Sequence, residues 1–403
     1  MNSAPSSVTA WRNAVFVVFT VNGLGMAAWI SRIPALRDQL DIPVSQVGIL
    51  LFAISTGAIL GLLISGHLVH AIGGAQTIRV TLLAFGLGLI LTGVATTVLS
   101  NFLLALLGMA ITGFAGAVCD VAMNVEGAGA ERALGRNIMP WYHASWSLGT
   151  VAGAGIGSAA AFAGVPVLVH LGLMGVVLAV AAVVVPRWLP AHITEEEGQE
   201  PRPGFRERMA IWRDPRTLLI GLIVLGMAFT EGSANDWLAL ALIDAHDLEN
   251  GTGALLFGVF AAAMTIGRIV GVPILDRFGR VPVLRASALT AAVGLAIVIL
   301  VPIPALYVVG IVLWGLGASL GFPVGMSAAA DDARTAAARV SAVATVGYFA
   351  FLVGPPLIGF AGELIGLLNA LFIVLALIVL SAVMSPAARE PAPAPDDEPV
   401  DAS

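Results

Sequence analysis

The 403-residue sequence contains no lysine, and all 19 of its basic residues are arginines. A phosphate-binding loop of the GxxxxGK[ST] type needs a lysine, so this chain does not carry one. The single cysteine, Cys119, excludes an intrachain disulfide. Charged residues make up only 11% of the chain, against roughly 25% in soluble domains.

Hydrophobic residues account for 58% of the sequence, and the mean hydropathy is +0.96. This composition predicts an integral membrane protein with the lipid bilayer as its surroundings. The net charge of -6 argues against nucleic acid as a partner. Part of that charge comes from an acidic tail that contains Asp396, Asp397, Glu398 and Asp401.

Runs of about 20 apolar residues are long enough to cross the bilayer, and we predict twelve of them in an all-α protein. We refer to these predicted segments as spans 1 to 12. Their approximate limits are 12–31, 44–69, 76–97, 100–126, 139–162, 165–186, 216–243, 252–274, 281–301, 304–328, 338–361 and 365–385.

One long arginine-rich interruption divides the spans into six plus six. The predicted units are an N-terminal six-helix bundle (1–186), a central loop (187–215), a C-terminal six-helix bundle (216–385) and a disordered acidic tail (386–403). Arg202, Arg206 and Arg208 lie in the loop, so the positive-inside rule predicts that the loop and both termini are cytoplasmic.

The two halves resemble each other weakly. A shift of 202 residues places GFAGAVCD (113–120) on GLGASLGF (315–322), and Gly157 on Gly359. Two similar six-helix halves around a central site are the architecture expected of a transporter that rocks between two states.

The turn after span 8 reads LDRFGR, in which a glycine permits a tight turn and the acid can pair with arginine. This turn resembles the D-R-x-G-R loop of the major facilitator superfamily (MFS), in which the loop braces the cytoplasmic gate. The residues at the matching positions are Asp276, Arg277, Gly279 and Arg280. The equivalent turn of the first half departs from the pattern, with His70 in place of aspartate and Gly74 in place of arginine.

Span 7 carries EGSANDW, and polar groups at membrane depth are candidates for function. Glu231 and Asn235 share a helix face, and Glu231 lies past the midplane, about 22 Å from the start of the span. For Glu231 we weigh a proton or substrate site against a structural partner for Arg268 of span 8. Asp236 lies nearer the outer surface and is predicted to belong to a gate.

Spans 4 and 5 place Asp120, Asn124 and His143 at similar depth, since the two spans are antiparallel and joined by a short turn. A buried carboxyl near a histidine is a workable proton site, so Asp120, His143 and Glu231 are the predicted proton-coupling residues. The alternative for His143 is a gate histidine bonded to backbone. Glu126 is interpreted as the cytoplasmic border of span 4.

Other side chains could contact a solute. Asn22 and Trp29 share one face of span 1, and Trp146 shares a face with His143. The alternative for the aromatic residues is a membrane-interface belt. The predicted substrate-binding residues are Asn22, Trp29, Asn124, Trp146, Glu231, Asn235, Trp314 and Tyr348, and the predicted gate residues are Asp236, Arg268, Asp276, Arg277, Gly279 and Arg280.

The stretch DVAMN (120–124), followed by HASWSLG (143–149), resembles the fucose–proton symporter branch of the MFS and its uncharacterised relatives. The resemblance implies that Asp120 takes the place of a proton-coupling glutamate, Asn124 that of the following asparagine and His143 that of a sugar-contacting glutamine. The branch has a second essential carboxylate in span 1, which this sequence lacks between Trp11 and Ile33. Glu231 is a candidate to replace it.

The leading hypothesis is therefore a proton-coupled transporter of a small polar solute, a sugar or related metabolite, which works as a monomer in the bacterial cytoplasmic membrane. The alternatives are a drug or metabolite exporter with the same fold, and a membrane receptor or scaffold that transports nothing. The sequence shows no nucleophile–base arrangement and no metal-ligand cluster, so we expect no enzyme activity, cofactor or metal.

Overall fold

A computed structural model describes residues 7–135, 138–190, 211–331 and 335–390. Most of the predicted central loop and the acidic tail from residue 391 onward lie outside the described residues, as does Arg334. Throughout the described ranges the regular structure is helical, and no strand occurs.

The first half of the chain consists of α1 (Val8–Ile30), α2 (Ile33–Leu40), α3 (Val44–Ile72), α4 (Gly74–Thr97), α5 (Phe102–Leu134), α6 (Met139–Phe162) and α7 (Val167–Val184). The second half consists of α8 (Pro215–His246), α9 (Asn250–Phe278), α10 (Arg280–Leu300), α11 (Pro304–Ala318), α12 (Gly321–Ala329), α13 (Ala336–Ile365), α14 (Leu367–Ala370) and α15 (Phe372–Met384). Short 3-10 turns follow α7 and α15.

Among the described residues, eleven helical segments are long and apolar enough to cross a membrane. They correspond to eleven of the predicted spans, and span 10 is formed by α11 and α12 together. The remaining span coincides with the 24-residue helix α6, which is long enough but is not among these eleven. The count of twelve and the cytoplasmic position of the termini therefore stay predictions.

The two halves meet mainly where α3 contacts α13 and where α6 contacts α9. At the first contact Gly48 lies against Pro355, Pro356 and Gly359. At the second the Ser158 hydroxyl donates to the Gly251 carbonyl at 2.9 Å. Small residues at both contacts let the backbones approach closely, as is common between helices in lipid.

Local geometry repeats between the halves. The helices α3 and α9 are each 29 residues long, and each ends at a glycine with positive φ. The φ angles are 78° at Gly73 and 74° at Gly279, values that residues with a side chain rarely adopt. The turn predicted at Gly279 is thus present, and the degenerate first-half turn has kept the same backbone shape.

Glycine also sets the distance between α1 and α6. A Cβ atom added at Gly149 would collide with the backbone carbonyl oxygen of Thr20, whereas one added at Gly155, on the same helix, would meet nothing within 4 Å. We therefore expect Gly149→Ala to lower stability by about 1–3 kcal/mol, since two backbones must separate.

Gly155→Ala is the matched control, and it should be neutral or stabilising by about 0.5–1 kcal/mol because alanine favours a helix. The apparent Tm of both variants in detergent measures the difference. Equal Tm values for the two variants would contradict this description of the α1–α6 contact.

Candidate functional site

Asp120 lies in the middle of α5, and its side chain is exposed. Tyr348 on α13, in the other half, lies within electrostatic range of this carboxyl. Asp120 therefore faces the space between the halves rather than lipid. Asn124, one turn along, donates from Nδ2 to the Asp120 backbone carbonyl at 2.8 Å and lies 3.5 Å from Asp120 Oδ1.

A second polar group crosses the interface from α6 to α9. His143 is exposed, packs edge-on against the Phe19 ring at 5.3 Å, and lies within electrostatic range of Arg268. Arg268 in turn donates from Nη2 to both carboxylate oxygens of Glu231, at 3.1 Å each. The structural alternative for Glu231, a partner for Arg268, is therefore the arrangement found.

Two of the predicted substrate residues bond to each other. The Trp146 indole N–H donates to Asn22 Oδ1 at 3.1 Å, which joins α6 to α1. Trp146 is half-buried, and Asn22 is 6% exposed. Trp146 therefore presents a ring edge to the interface while its polar end is already satisfied.

The predicted aromatic contacts Trp29 and Trp314 are buried, at 2% and 0% exposure. Trp314 packs edge-on against Phe260 within the second half. Neither ring is accessible to a solute in this conformation, because helix packing covers both. Asn235 and Asp236 are half-buried, and the gate role of Asp236 stays a prediction.

At the turn after α9, the arginine of the motif finds a partner that the sequence did not indicate. Arg280 Nη1 lies 2.5 Å from Asp331 Oδ1, and Arg216 Nη2 lies 2.7 Å from Asp331 Oδ2. Asp276 is exposed and forms no ion pair with another described residue in this conformation, so its pairing stays a prediction. Arg277 instead lies over the Phe278 ring, 5.3 Å from its centre.

The halves are closed against each other at the end that carries α2. Arg37 Nη1 lies 2.5 Å from Asp244 Oδ1, and Asn250 donates to Asp38 at 3.1 Å. Burial lowers the pKa of the Arg37 guanidinium, but the hydrogen bonds and charges of Asp244 and Asp38 raise it above its ordinary value. A sequence signal was available, since Arg37 follows span 1, on the side that the predicted topology places outside the cytoplasm.

At the opposite end, near the turns at Gly73 and Gly279, the described residues show no hydrogen bond or ion pair between the halves. The helix ends there are exposed, as at His70 on α3 and Phe278 on α9. The polar residues between the halves are therefore open toward this end and closed toward α2.

Other features do not compete with this site. A groove of about 460 Å³ is bounded by α9, α10 and the α11–α12 segment, but no charged side chain lines it. Across the described ranges, no group of three histidine, cysteine or acidic residues could hold a metal ion.

Apolar spans, two similar halves and polar side chains between them define a multi-pass membrane protein with a central, one-sided opening. The sequence profile of the Major Facilitator Superfamily matches residues 15–271 and 228–402. The chain is 30% identical over 396 residues to an uncharacterized transporter, y4wD, of Sinorhizobium fredii, covering 95% of this chain and 99% of that one.

Solved structures show the same fold. The nucleoside transporter NupG, in a point-mutant form, aligns with a TM-score of 0.78 at 14% identity over 94% of this chain and 100% of that chain. The E. coli fucose:proton symporter FucP, also as a point mutant, aligns with a TM-score of 0.64 at 15% identity over 94% of this chain and 98% of that chain.

The chain belongs to the Major Facilitator Superfamily, and it is a transporter-fold protein of the bacterial cell membrane. The family resemblance stated from the sequence is confirmed. The roles of Asp120, Asn124 and His143 within it stay predictions.

The Glu231–Arg268 pair allows a direct test of the charge arrangement. Arg268→Gln leaves a carboxylate without its cation, so we expect it to destabilise the protein more than the double variant Arg268→Gln/Glu231→Gln does. The side chains are 33% and 17% exposed, so a coupling of about 1 kcal/mol is expected. Thermal unfolding of the two single variants and the double variant measures it, and additive effects would contradict the pairing.

Proposed function

We propose that this protein is a proton-coupled transporter that moves a small, hydroxyl-rich polar solute by alternating access. The observation that carries the proposal is the position of Asp120, a carboxyl in the middle of a spanning helix, exposed between the halves. No cation pairs with it among the residues described. A carboxyl in that position can bind and release a proton as its surroundings change between water and protein.

Asp120 and Glu231 are assigned different roles. Glu231 has its charge balanced by Arg268 in the same half, so it can stay ionised through the cycle. Asp120 lacks such a partner, so only a proton can neutralise it when the cavity closes. We therefore assign proton coupling to Asp120, assisted by His143, and solute or structural contacts to Glu231.

We infer the solute class from polar and aromatic groups on α5, α6 and α13, of which Asn124 and Tyr348 lie near Asp120. Asn124, His143 and Tyr348 offer donors and acceptors, and Trp146 on α6 is partly exposed. Such a set suits hydroxyl groups on a compact ring or chain. A nucleoside transporter and a fucose:proton symporter share the fold, and that likeness extends to the fold alone.

Alternating access requires the closed end to open. In this conformation Arg37 of the first half is tied to Asp244 of the second, and Ser45 N–H donates to Glu363 at 3.3 Å. These exposed contacts are individually weak, so they can break within one cycle. Neutralising Asp120 removes the cost of burying its charge, which favours closure of the cavity around the bound solute.

The substitution Asp120→Asn tests the coupling. We expect it to abolish solute accumulation driven by a proton gradient in liposomes while leaving exchange of labelled for unlabelled solute intact, because the amide is neutral without a proton. The solute is first chosen from L-fucose, mannitol and uridine by thermal shift, where ligand at 100 times its Kd stabilises by about 2.7 kcal/mol.

Asp247→Asn is the matched control. Asp247 is an exposed acid in the turn before α9, with φ of 52°, a conformation that asparagine tolerates. It should transport as the unmodified protein does. Undiminished proton-driven accumulation by Asp120→Asn would refute the coupling assignment.

A further inference from the structure

Glu126 is a second acid on α5 for which the proposed transport cycle has no use. It was interpreted from the sequence as the border of a span, but α5 continues to Leu134 and Glu126 is 0% exposed. Oε2 accepts a hydrogen bond from the Trp11 indole N–H at 2.9 Å. Oε1 is buried and has no hydrogen-bond partner in the structure.

The carboxyl of Glu126 occupies space that a side chain at residue 74 would need. A Cβ atom added at Gly74 would collide with Glu126 Oε1, so the acid lies directly against the turn that joins α3 to α4. That turn is the degenerate first-half copy of the gate motif. Three elements therefore meet at Glu126: the start of α1, the α3–α4 turn and α5.

The second half contains the same three-element cluster with different chemistry. There Arg216 at the start of α8 and Arg280 at the α9–α10 turn both bond to Asp331. Trp11, Gly74 and Glu126 precede Arg216, Arg280 and Asp331 by 205, 206 and 205 positions in the sequence. The first half has thus kept the acid and has a tryptophan and a glycine in place of the two arginines.

The remaining titratable and charged groups on the elements around Glu126 do not replace those arginines. They are Arg12 on α1, His67 and His70 on α3, Arg79 on α4, Cys119, Asp120, Glu131 and Arg132 on α5, and Tyr142 and His143 on α6. Within the described ranges, none of them forms an ion pair with Glu126. Arg12 bonds to Asn13, Arg79 bonds to Gln76, and Glu131 accepts from the backbone N–H groups of Ile138 and Met139.

We infer that Glu126 is a proton-binding site, held as the neutral carboxylic acid, in which one bound proton takes the place of the two arginines that neutralise Asp331 in the other half. A buried carboxylate with one neutral donor and no cation is strongly disfavoured, and protonation removes the charge. The neutral acid still accepts the Trp11 N–H. When α1 and α5 separate at this end, water reaches the carboxyl and the proton leaves to solvent.

Infrared difference spectroscopy observes the proton directly. With Asp120→Asn as background, the further substitution Glu126→Gln should remove a carbonyl-stretch band of a protonated carboxylic acid at neutral pH. Glu231→Gln in the same background is the control, and it should leave that band in place, because the Glu231 carboxylate is paired with the Arg268 guanidinium. Loss of carboxylate bands on Glu126→Gln would overturn the inference.

A second experiment introduces an arginine beside Glu126 in the otherwise unmodified chain. Gly74→Arg places an arginine where the other half has Arg280, and Gly74→Ala adds the same Cβ collision without charge. The apparent Tm of the unmodified protein and of Gly74→Ala should fall by about 2–4 °C relative to Glu126→Gln between about pH 6 and pH 9. Glutamate in the unfolded chain has a pKa of about 4.3 and is ionised throughout this range, so unfolding releases the Glu126 proton and each rise in pH favours the unfolded state.

Gly74→Arg should remove that fall, since an ionised Glu126 then has a partner. The inference would be overturned if the Tm of the unmodified protein stayed at a constant difference from that of Glu126→Gln at every pH. It would also be overturned if the Tm of Gly74→Arg fell with pH as much as the Tm of Gly74→Ala. Neither measurement uses a transported solute, so these outcomes are separate from those that decide the proposed transport function.

Discussion

The fold and the site depend on one constraint: within a bilayer, a charged side chain must find a counter-charge, a proton or water. The protein meets this constraint in different ways. Asp331 forms ion pairs with two arginines, and Glu231 forms one with Arg268. Asp120 faces the open space between the halves, and we infer a bound proton on Glu126. An acid that is permanently paired with arginine holds its helices together. An acid that is solvated by water or neutralised by a proton can change its protonation state when the helices move.

The two ends of the molecule differ in whether charged and polar side chains join the two halves. At the α2 end, ion pairs and hydrogen bonds join the halves, and glycines and prolines bring α3 close to α13. At the opposite end the described residues show ion pairs only within a half. This conformation has the one closed end that the proposed alternating access requires of each of its two states. The contacts that must separate in the proposed cycle include the partly exposed Arg37–Asp244 pair, whose charges water can solvate at small cost.

Much of this architecture could be predicted from the sequence, because in lipid every backbone group must be bonded inside its own helix and hydropathy then marks the spans. The same reasoning found Asp120 and His143, since polar residues in apolar runs stand out. Residue spacing also raised the possibility of the Glu231–Arg268 pair, which the structure shows.

Contacts between distant segments could not be predicted in this way. The Arg37–Asp244 pair joins residues 207 positions apart, and Asp331 lies beyond the motif whose arginine it binds. Burial was also misjudged for Trp29 and Trp314, because a helix-face pattern does not say which neighbour covers the face.

The central claim is that solute and proton cross the membrane together through the space around Asp120. The most direct test is to record the pH inside proteoliposomes while a gradient of the solute identified by thermal shift is applied, with no proton gradient imposed. The account predicts proton movement in the direction of solute flow, at a rate that rises with the solute gradient. Solute transport without any accompanying pH change would contradict it.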